Sequence, residues 1–371
     1  MARVELDQVN KIYRSRGEVV HAVKDFSLTV EDGAFIALLG PSGCGKTSTL
    51  RMIVGLEEIS AGEIRFDSEV VNHLSPEGRN VAMAFETYAL YPNFTVAENL
   101  SFPLEVKGID AAKRESEIAR IAKLLQIEPI LSQRPGELSG GQQQRVSLGR
   151  ALIREPAAFI LDEVMSHLDA HLKFQMLFEL KRVHQSIGKT TIYVTHDQME
   201  ALALADKVAV MTEGVLQQYG TRDDLYNRPA NRFVADFIGE PPTNFMTADV
   251  IANGDKLHLR AEASDLVFQM DDDRERAVRE RRIDKVLIGI RPQNLRPANG
   301  ETGNDLERID AELLINEYLG EQSILTFAHG DAPLRALAPP DAAYRRGERI
   351  ALSYHRSDVM LFDPTSEMFI G

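Results

Sequence analysis

Ala34-Phe-Ile-Ala-Leu-Leu-Gly40-Pro-Ser-Gly-Cys-Gly45-Lys46-Thr47-Ser48 is the stretch on which the reading of this chain turns. An unbroken apolar run from Ala34 to Leu39 fits a strand buried on both faces. The residues after it match the phosphate-binding pattern G-x-x-x-x-G-K-[ST], with Gly40 opening the loop and Gly45, Lys46 and Thr47 closing it onto a helix start. In such a loop the backbone N–H groups of Gly40, Pro41, Ser42, Gly43, Cys44 and their successors wrap an anion, proline excepted because it has none. Lys46 neutralises β- and γ-phosphate oxygens, and the Thr47 hydroxyl, with Ser48 next to it, faces a magnesium ion. A nucleoside triphosphate with Mg²⁺ is therefore expected. A glycine-rich turn that binds nothing is the alternative, and the combination of strand, turn and helix start argues against it.

Further apolar runs end in polar residues in the same way. Ala157–Leu161, Thr191–Val194 and Val208–Met211 read as buried parallel strands beside Ala34–Leu39. Ligands collect at the carboxyl ends of such strands, where this chain places Asp162-Glu163 and His196. An aspartate there can hold Mg²⁺, and the next carboxylate can polarise an attacking water. A solvated acidic pair and an ordinary surface histidine are the plain alternatives. Their position downstream of a P-loop favours a site. A histidine donor at that place can contact the γ-phosphate. Tyr13, in Lys11-Ile-Tyr-Arg14, is either a half-buried strand residue or an aromatic platform for a purine. His167 and His171 stand four apart but lack the adjacent His-Glu order of a zinc helix, so no zinc is expected.

Between the first and second runs the pattern is helical. Ile118, Ile121, Ala122 and Leu125 lie on one face, as do Val146, Gly149 and Ile153. The second helix starts at Leu138-Ser139-Gly140-Gly141-Gln142, where an exposed helix N-terminus can take an anion. The α/β pattern ends near Arg232–Gly239, and Glu240-Pro241-Pro242-Thr243 reads as a boundary. Beyond it come a hairpin signal at Asn253-Gly254 and short strands at Leu287–Ile290, Ile324–Phe327 and Ile350–Leu352. A small β-barrel-like domain is expected. The run from Asp271 to Arg282 reads as a solvated loop or hairpin edge.

The composition limits the partners. A length of 371 residues calls for two domains, and 44% hydrophobic residues supply cores for both. A formal net charge of −14 opposes adhesion to nucleic acid or anionic lipid, so no nucleic-acid partner is expected. No apolar stretch reaches the roughly 18–20 residues that span a bilayer, and Met1-Ala-Arg-Val-Glu-Leu-Asp lacks a signal peptide core. A soluble, cytosolic chain is expected, touching a membrane only through a protein partner. Cys44 is the single cysteine, which excludes an internal disulfide.

These motifs together resemble the ATPase subunits of ATP-binding-cassette (ABC) importers. The tracts Tyr88–Leu100, Tyr226–Gly239, Gly289–Leu295 and Met360–Asp363 are similar to the sugar and polyol importers of the maltose-transporter type. The resemblance implies an α/β, RecA-like P-loop core over residues 1–240 with a helical subdomain at about 87–155. It also implies a C-terminal, all-β, OB-like regulatory domain of TOBE type over 241–371. Carried over, Tyr13 is the adenine platform, Gly40 to Thr47 the Walker A loop, Asp162 the magnesium residue, Glu163 the general base and His196 the switch histidine. Ser166 to Asp169 match the D-loop. Ser139, Gly140, Gly141 and Gln142 match the signature that closes on ATP held by a second ATPase subunit.

Two membrane permease subunits, contacted near residues 82 to 92, and a separate solute-binding protein complete the implied complex, at the cytoplasmic face of the cell membrane. The solute expected is a carbohydrate, polyol or glycerol-type compound. An importer of oxyanions, iron or polyamines, or a soluble cassette ATPase, is the alternative. Two positions depart from the family pattern. Val164 replaces the usual proline. Glu86 replaces the usual glutamine and would act beside the metal and the reacting water, where a second carboxylate meets a repulsion of about 4 kcal/mol at 4 Å in an effective dielectric of 20. A homodimer is the default, and Glu86 raises the alternative of a partner chain bearing glutamine.

Overall fold

The computed structural model describes residues 2–371 except 16, 85–87, 155, 167, 263–265, 299–304, 329–332 and 342. The chain divides into two compact units, Met1–Arg222 and Asp223–Gly371. The division falls before the proline pair on which the sequence-based boundary was set.

In the first unit the elements run β1 (Val4–Ser15), β2 (Glu18–Val30), β3 (Phe35–Leu39), α1 (Lys46–Val54), β4 (Ala61–Phe66), β5 (Glu69–Val70) and β6 (Val81–Ala84). There follow α2 (Val96–Val106), α3 (Ala111–Leu125), α4 (Gly140–Leu152), β7 (Ala158–Asp162), α5 (Ala170–Ile187), β8 (Thr190–Thr195), α6 (Gln198–Leu204), β9 (Lys207–Thr212) and β10 (Val215–Gly220). The main sheet has the order β10-β9-β3-β8-β7-β6 and is parallel except for the β9–β10 hairpin. All five residues of β3 and all six of β8 are buried, as the continuous apolar runs require. A second, antiparallel sheet, β2-β1-β4-β5, packs on it through Val4, Leu6, Phe26 and Ile64 against Ile36, Leu38 and Ile192.

Three helices, α2 to α4, are inserted between β6 and β7. Ile121, Ala122 and Leu125 of α3 and Val146 of α4 are buried in one cluster with Leu100 of α2, and Ile118 packs on it. Thr95 and Glu98 form a capping box at the start of α2, and Asp110 caps α3 by accepting from Lys113 N–H at 3.0 Å.

The second unit contains α7 (Arg222–Asn227, reaching back one residue), α8 (Arg232–Phe237), β11 (Asn244–Asn253), β12 (Lys256–Ala261), β13 (Val267–Gln269), α9 (Asp272–Arg281), β14 (Lys285–Ile290), β15 (Arg296–Pro297), β16 (Leu306–Tyr318), β17 (Ser323–Phe327), β18 (Leu334–Ala338), β19 (Arg349–His355) and β20 (Met360–Phe362). Its strands form two antiparallel sheets, β13-β12-β11-β14-β20 and β15-β19-β16-β17-β18, around one core. The expected hairpin is present, with its turn at Gly254-Asp255, since Asn253 pairs with Lys256.

One expectation fails here. Residues Asp272–Arg281 are a helix, neither loop nor hairpin edge. Asp271 caps it by accepting from Arg274 N–H at 2.9 Å, and acidic residues fill its first turn and basic ones its last. Glu275 and Arg279 bond at 2.6 Å across one turn. Local electrostatics and Val278 in the core stabilise a helix that has almost no apolar stripe.

Candidate functional site

The loop between β3 and α1 is fixed by its neighbours. A side chain on Gly40 would place Cβ 2.2 Å from the Met211 carbonyl oxygen, and one on Gly45, at φ +103°, 2.4 Å from that of Ala22. Backbone atoms cannot yield to such contacts, so both positions demand glycine. Lys46 is 4% exposed, and its Nζ donates to the carbonyls of Gly40 at 2.8 Å and Pro41 at 2.9 Å. The ammonium thus folds back onto the first carbonyls of the loop. Cys44 packs in the core beneath it, where burial pushes its thiol pKa up. It is a packing residue.

Tyr13, on β1, meets the first turn of α1, just past that loop. Its hydroxyl hydrogen-bonds Ser48 Oγ at 3.0 Å and donates to the Glu57 carboxylate. Burial, with Glu57, raises the pKa of the phenol. Lys11 Nζ lies 4.9 Å from the centre of the Tyr13 ring and 3.7 Å from Glu57. Across the β1–β2 ladder Tyr13 pairs with Val20, which is exposed, as is Val19 beside it. Sequence reasoning missed Lys11, Val20 and Glu57 as neighbours of this site. Only the strand register reveals them.

At the end of β7, Asp162 is half-buried and Glu163 turns away at φ +45°. This left-handed conformation is unusual for glutamate. It is held by the Glu163 N–H bond to Val194 O at 2.9 Å and by Ser166, whose N–H and hydroxyl both donate to Glu163 O at 3.1 and 3.0 Å. The turn aims the carboxylate at His196, with Nδ1 3.3 Å from Oε2. Two residues that the sequence proposed for one reaction therefore adjoin. Asp169 caps α5 by accepting from Leu172 N–H at 3.0 Å.

The motif Ser139, Gly140, Gly141, Gln142 begins α4 on the helical insert. Ser139 N–H donates to Gln142 Oε1 at 2.8 Å, and Gln142 N–H returns to Ser139 Oγ at 3.4 Å. Ser139 and Gly140 are exposed. Nearby, an apolar groove of about 560 Å³ is lined by Val54, Leu56, Met83, Tyr91, Phe102 and Arg150 among others. The Arg150 guanidinium lies 4.5 Å over the Tyr91 ring. Glu86 and His167 lie outside the described residues. His171 hydrogen-bonds Gln175 at 3.0 Å, and among the described residues no cluster of three metal-binding side chains occurs. Among them, too, no helix is long and apolar enough to cross a membrane.

Comparison with known proteins agrees with this architecture. An ABC transporter profile matches residues 23–166 and a TOBE domain profile residues 288–362. The chain is 42% identical to the sulfoquinovosyl glycerol transport ATP-binding protein SmoE of Agrobacterium fabrum, over the full length of both chains. It is 41% identical to the trehalose/maltose import ATP-binding protein MalK of Thermococcus litoralis and 40% identical to the sn-glycerol-3-phosphate import ATP-binding protein UgpC of Burkholderia cenocepacia, each over 99% of both chains. Among solved structures, the dimeric ATP-binding cassette MJ0796 with ADP and phosphate is similar, with a TM-score of 0.53 and 29% identity over 59% of this chain and 98% of that one.

Proposed function

The chain belongs to the ATP-binding subunits of ABC transporters and hydrolyses ATP to drive transport, and from that premise we propose that it energises uptake of a carbohydrate, polyol or glycerol-type solute. The names of the three full-length relatives support that solute class. The approach of His196 Nδ1 to Glu163 Oε2 at 3.3 Å carries the catalytic assignment.

ATP occupies the loop from Gly40 to Thr47, with Lys46 releasing a loop carbonyl to reach the phosphates and adenine lying on Tyr13 beside Val20. Tyr13 is steadied by Ser48 and Glu57. Thr47 and Asp162 offer only oxygen donors, a set suited to a hard cation, so they would hold Mg²⁺ with the phosphates. When bound, Mg²⁺ neutralises charge developing on the phosphate oxygens. Glu163 takes the proton of the attacking water, and His196 beside it is the donor that contacts the γ-phosphate. Glu86, two residues after β6 in the sequence, is the further carboxylate that the family resemblance assigns to this chemistry.

Family members dimerise and work with membrane permeases. In the proposed assembly, the Ser139–Gln142 terminus, exposed at Ser139 and Gly140, and Asp169 face the nucleotide of a second ATPase chain. The apolar groove around Tyr91 and Arg150 receives a segment of one of two permease subunits, at the cytoplasmic face of the membrane, and a separate binding protein delivers the solute. Residues 1–240 form the ATPase domain and 241–371 a regulatory domain. Lys46→Ala is expected to weaken ATP binding, and Glu163→Gln to keep binding, stop hydrolysis and leave an ATP-loaded dimer seen by size-exclusion chromatography with Mg-ATP. Parental hydrolysis by Glu163→Gln overturns the assignment of the base.

A further inference from the structure

Beneath the His196 turn lies a polar cluster to which the mechanism above gives no role. Glu200, 3% exposed, accepts from the Tyr193 hydroxyl and from Thr195 Oγ1 at 2.6 Å. Its other oxygen lies 2.7 Å from Lys173 Nζ. The same ammonium donates to Asp197 Oδ2 at 2.7 Å. Asp197 Oδ1 caps α6 by accepting from the N–H groups of Met199 at 2.8 Å and Glu200 at 3.1 Å, while Asp197 N–H donates to Thr195 Oγ1 at 3.0 Å. Both sequence neighbours of His196 are thereby pinned, and a single cation from α5 closes the cluster. Burial is the largest influence and opposes the charged forms of Lys173 and Asp197, but the hydrogen bonds and opposite charges around each together outweigh it: Asp197 and Glu200 raise the lysine pKa, and Lys173 with the α6 N–H groups lowers that of the aspartate.

A bond between α5 and α6 could serve stability alone, but the path of α5 argues for more. The helix begins at Ala170 behind its Asp169 cap, three residues after Ser166, which clamps the Glu163 carbonyl. Its Leu172 is the side chain nearest to Gly141 at the start of α4. The next residue is Lys173, so the first turn of α5 meets the signature helix and the His196 turn, and the chain enters it from the Glu163 turn. Without the ammonium, two carboxylates with their facing oxygens uncompensated would push Asp197 off Glu200 and rotate the turn between them. We propose that Lys173 is a positioning residue that holds the His196 turn against Glu163, so that the imidazole and the carboxylate stay aligned for hydrolysis. The inference rests on the roles given above to Glu163 and His196.

The test is steady-state ATP hydrolysis by the full-length chain, comparing the parent with Lys173→Met, Lys173→Arg and Glu163→Gln. A misalignment of about 1 Å at a catalytic group costs on the order of a hundredfold, so Lys173→Met is expected to lower kcat between about tenfold and a hundredfold. KM for ATP should stay within about twofold, since the P-loop is untouched. Lys173→Arg should restore most of kcat, because a guanidinium can span both carboxylates. Asp197→Asn keeps the α6 cap but weakens the bridge, and it should lower kcat in the same way should Lys173→Met not fold. Parental kcat in Lys173→Met or, failing that variant, in Asp197→Asn, with Glu163→Gln inactive, overturns this inference alone. So does a joint change in kcat and KM that arginine does not repair, the mark of a merely structural role. Parental hydrolysis by Glu163→Gln overturns the reading of the site and this inference with it.

Discussion

Replacing Arg291 by methionine should loosen the second unit and leave the ATP site intact. Arg291 follows β14 and is 2% exposed. Its Nη2 and Nε donate to the Tyr226 carbonyl at 2.6 and 3.1 Å, its Nη1 donates to the Ile238 carbonyl, and its guanidinium lies 3.8 Å from the centre of the Tyr226 ring. Three charge-assisted bonds at about 1.5 kcal/mol each and a ring contact of about 1.5 kcal/mol give roughly 6 kcal/mol. Against this, burial holds the guanidinium pKa down at about 10 from 12.5. At about 1.4 kcal/mol per pH unit that is a charge-burial cost of about 3.5 kcal/mol, which methionine escapes. The net loss is about 2.5 kcal/mol, and it falls on the docking of α7 and α8. Hydrogen exchange read by mass spectrometry resolves this locally, without assuming a single unfolding transition. Amides of Arg232–Phe237 should exchange roughly sixtyfold faster, the equivalent of that energy. Those of α1 should exchange at the parental rate. Unchanged protection in α8, or an equal loss in α1, would refute the reasoning.

Two further outcomes are expected. A chain ending at Arg222 should bind ATP within about 0.5 kcal/mol of the parent, because every residue assigned to the ATP site precedes that point and independent sites act additively; titration calorimetry checks this, and loss of binding by the folded fragment would sink the separation of the units. Glu86→Gln, in a transporter reconstituted with this chain as its only ATPase, should raise hydrolysis about tenfold by returning a neutral amide to the place where water is oriented. Coupled uptake that is full without the substitution and unchanged by it would remove the case for a second, different ATPase chain.

The sequence disclosed the core sheet because its strands are buried on both faces, which leaves uninterrupted apolar runs such as Phe35–Leu39. The first two strands were harder to see. The pairing of β1 with β2 shifts register between Leu6 and Val9, between Val9 and Lys11, and again at Ile12, and each shift breaks the two-residue alternation that marks a half-buried strand. Helix α9 was misread because periodicity looks for an apolar stripe, and this helix is stabilised mainly by its cap and charge order. The site shows the same contrast. Glu163 and His196 could be proposed from their places at strand ends. The bond from Lys173 to Asp197 spans 24 residues, and no local pattern predicts which lysine the fold brings to that turn.

Val164 shows how the fold supplies a restraint that the local sequence lacks. A proline after Glu163 would fix one backbone torsion of the turn by itself. This chain has valine there, and the Val164 carbonyl instead accepts a hydrogen bond from Gln144 Nε2, a side chain 3% exposed on α4. The left-handed conformation of Glu163 is unfavourable for a non-glycine residue by about 1–3 kcal/mol, so it persists only where its surroundings over-determine it. Here Val194 holds the N–H of Glu163, Ser166 its carbonyl, and Gln144 the next peptide. Of the three, only Gln144 comes from the helical insert, and it lies little more than one turn from Ser139 and Gly140 at the exposed start of the same helix. The backbone that carries Glu163 is therefore tied to the helix that carries the signature. A rigid displacement of α4 must either carry the Val164 carbonyl with it or break that bond. In a chain with proline at this position the turn would have its own restraint as well, and would depend less on where α4 stands.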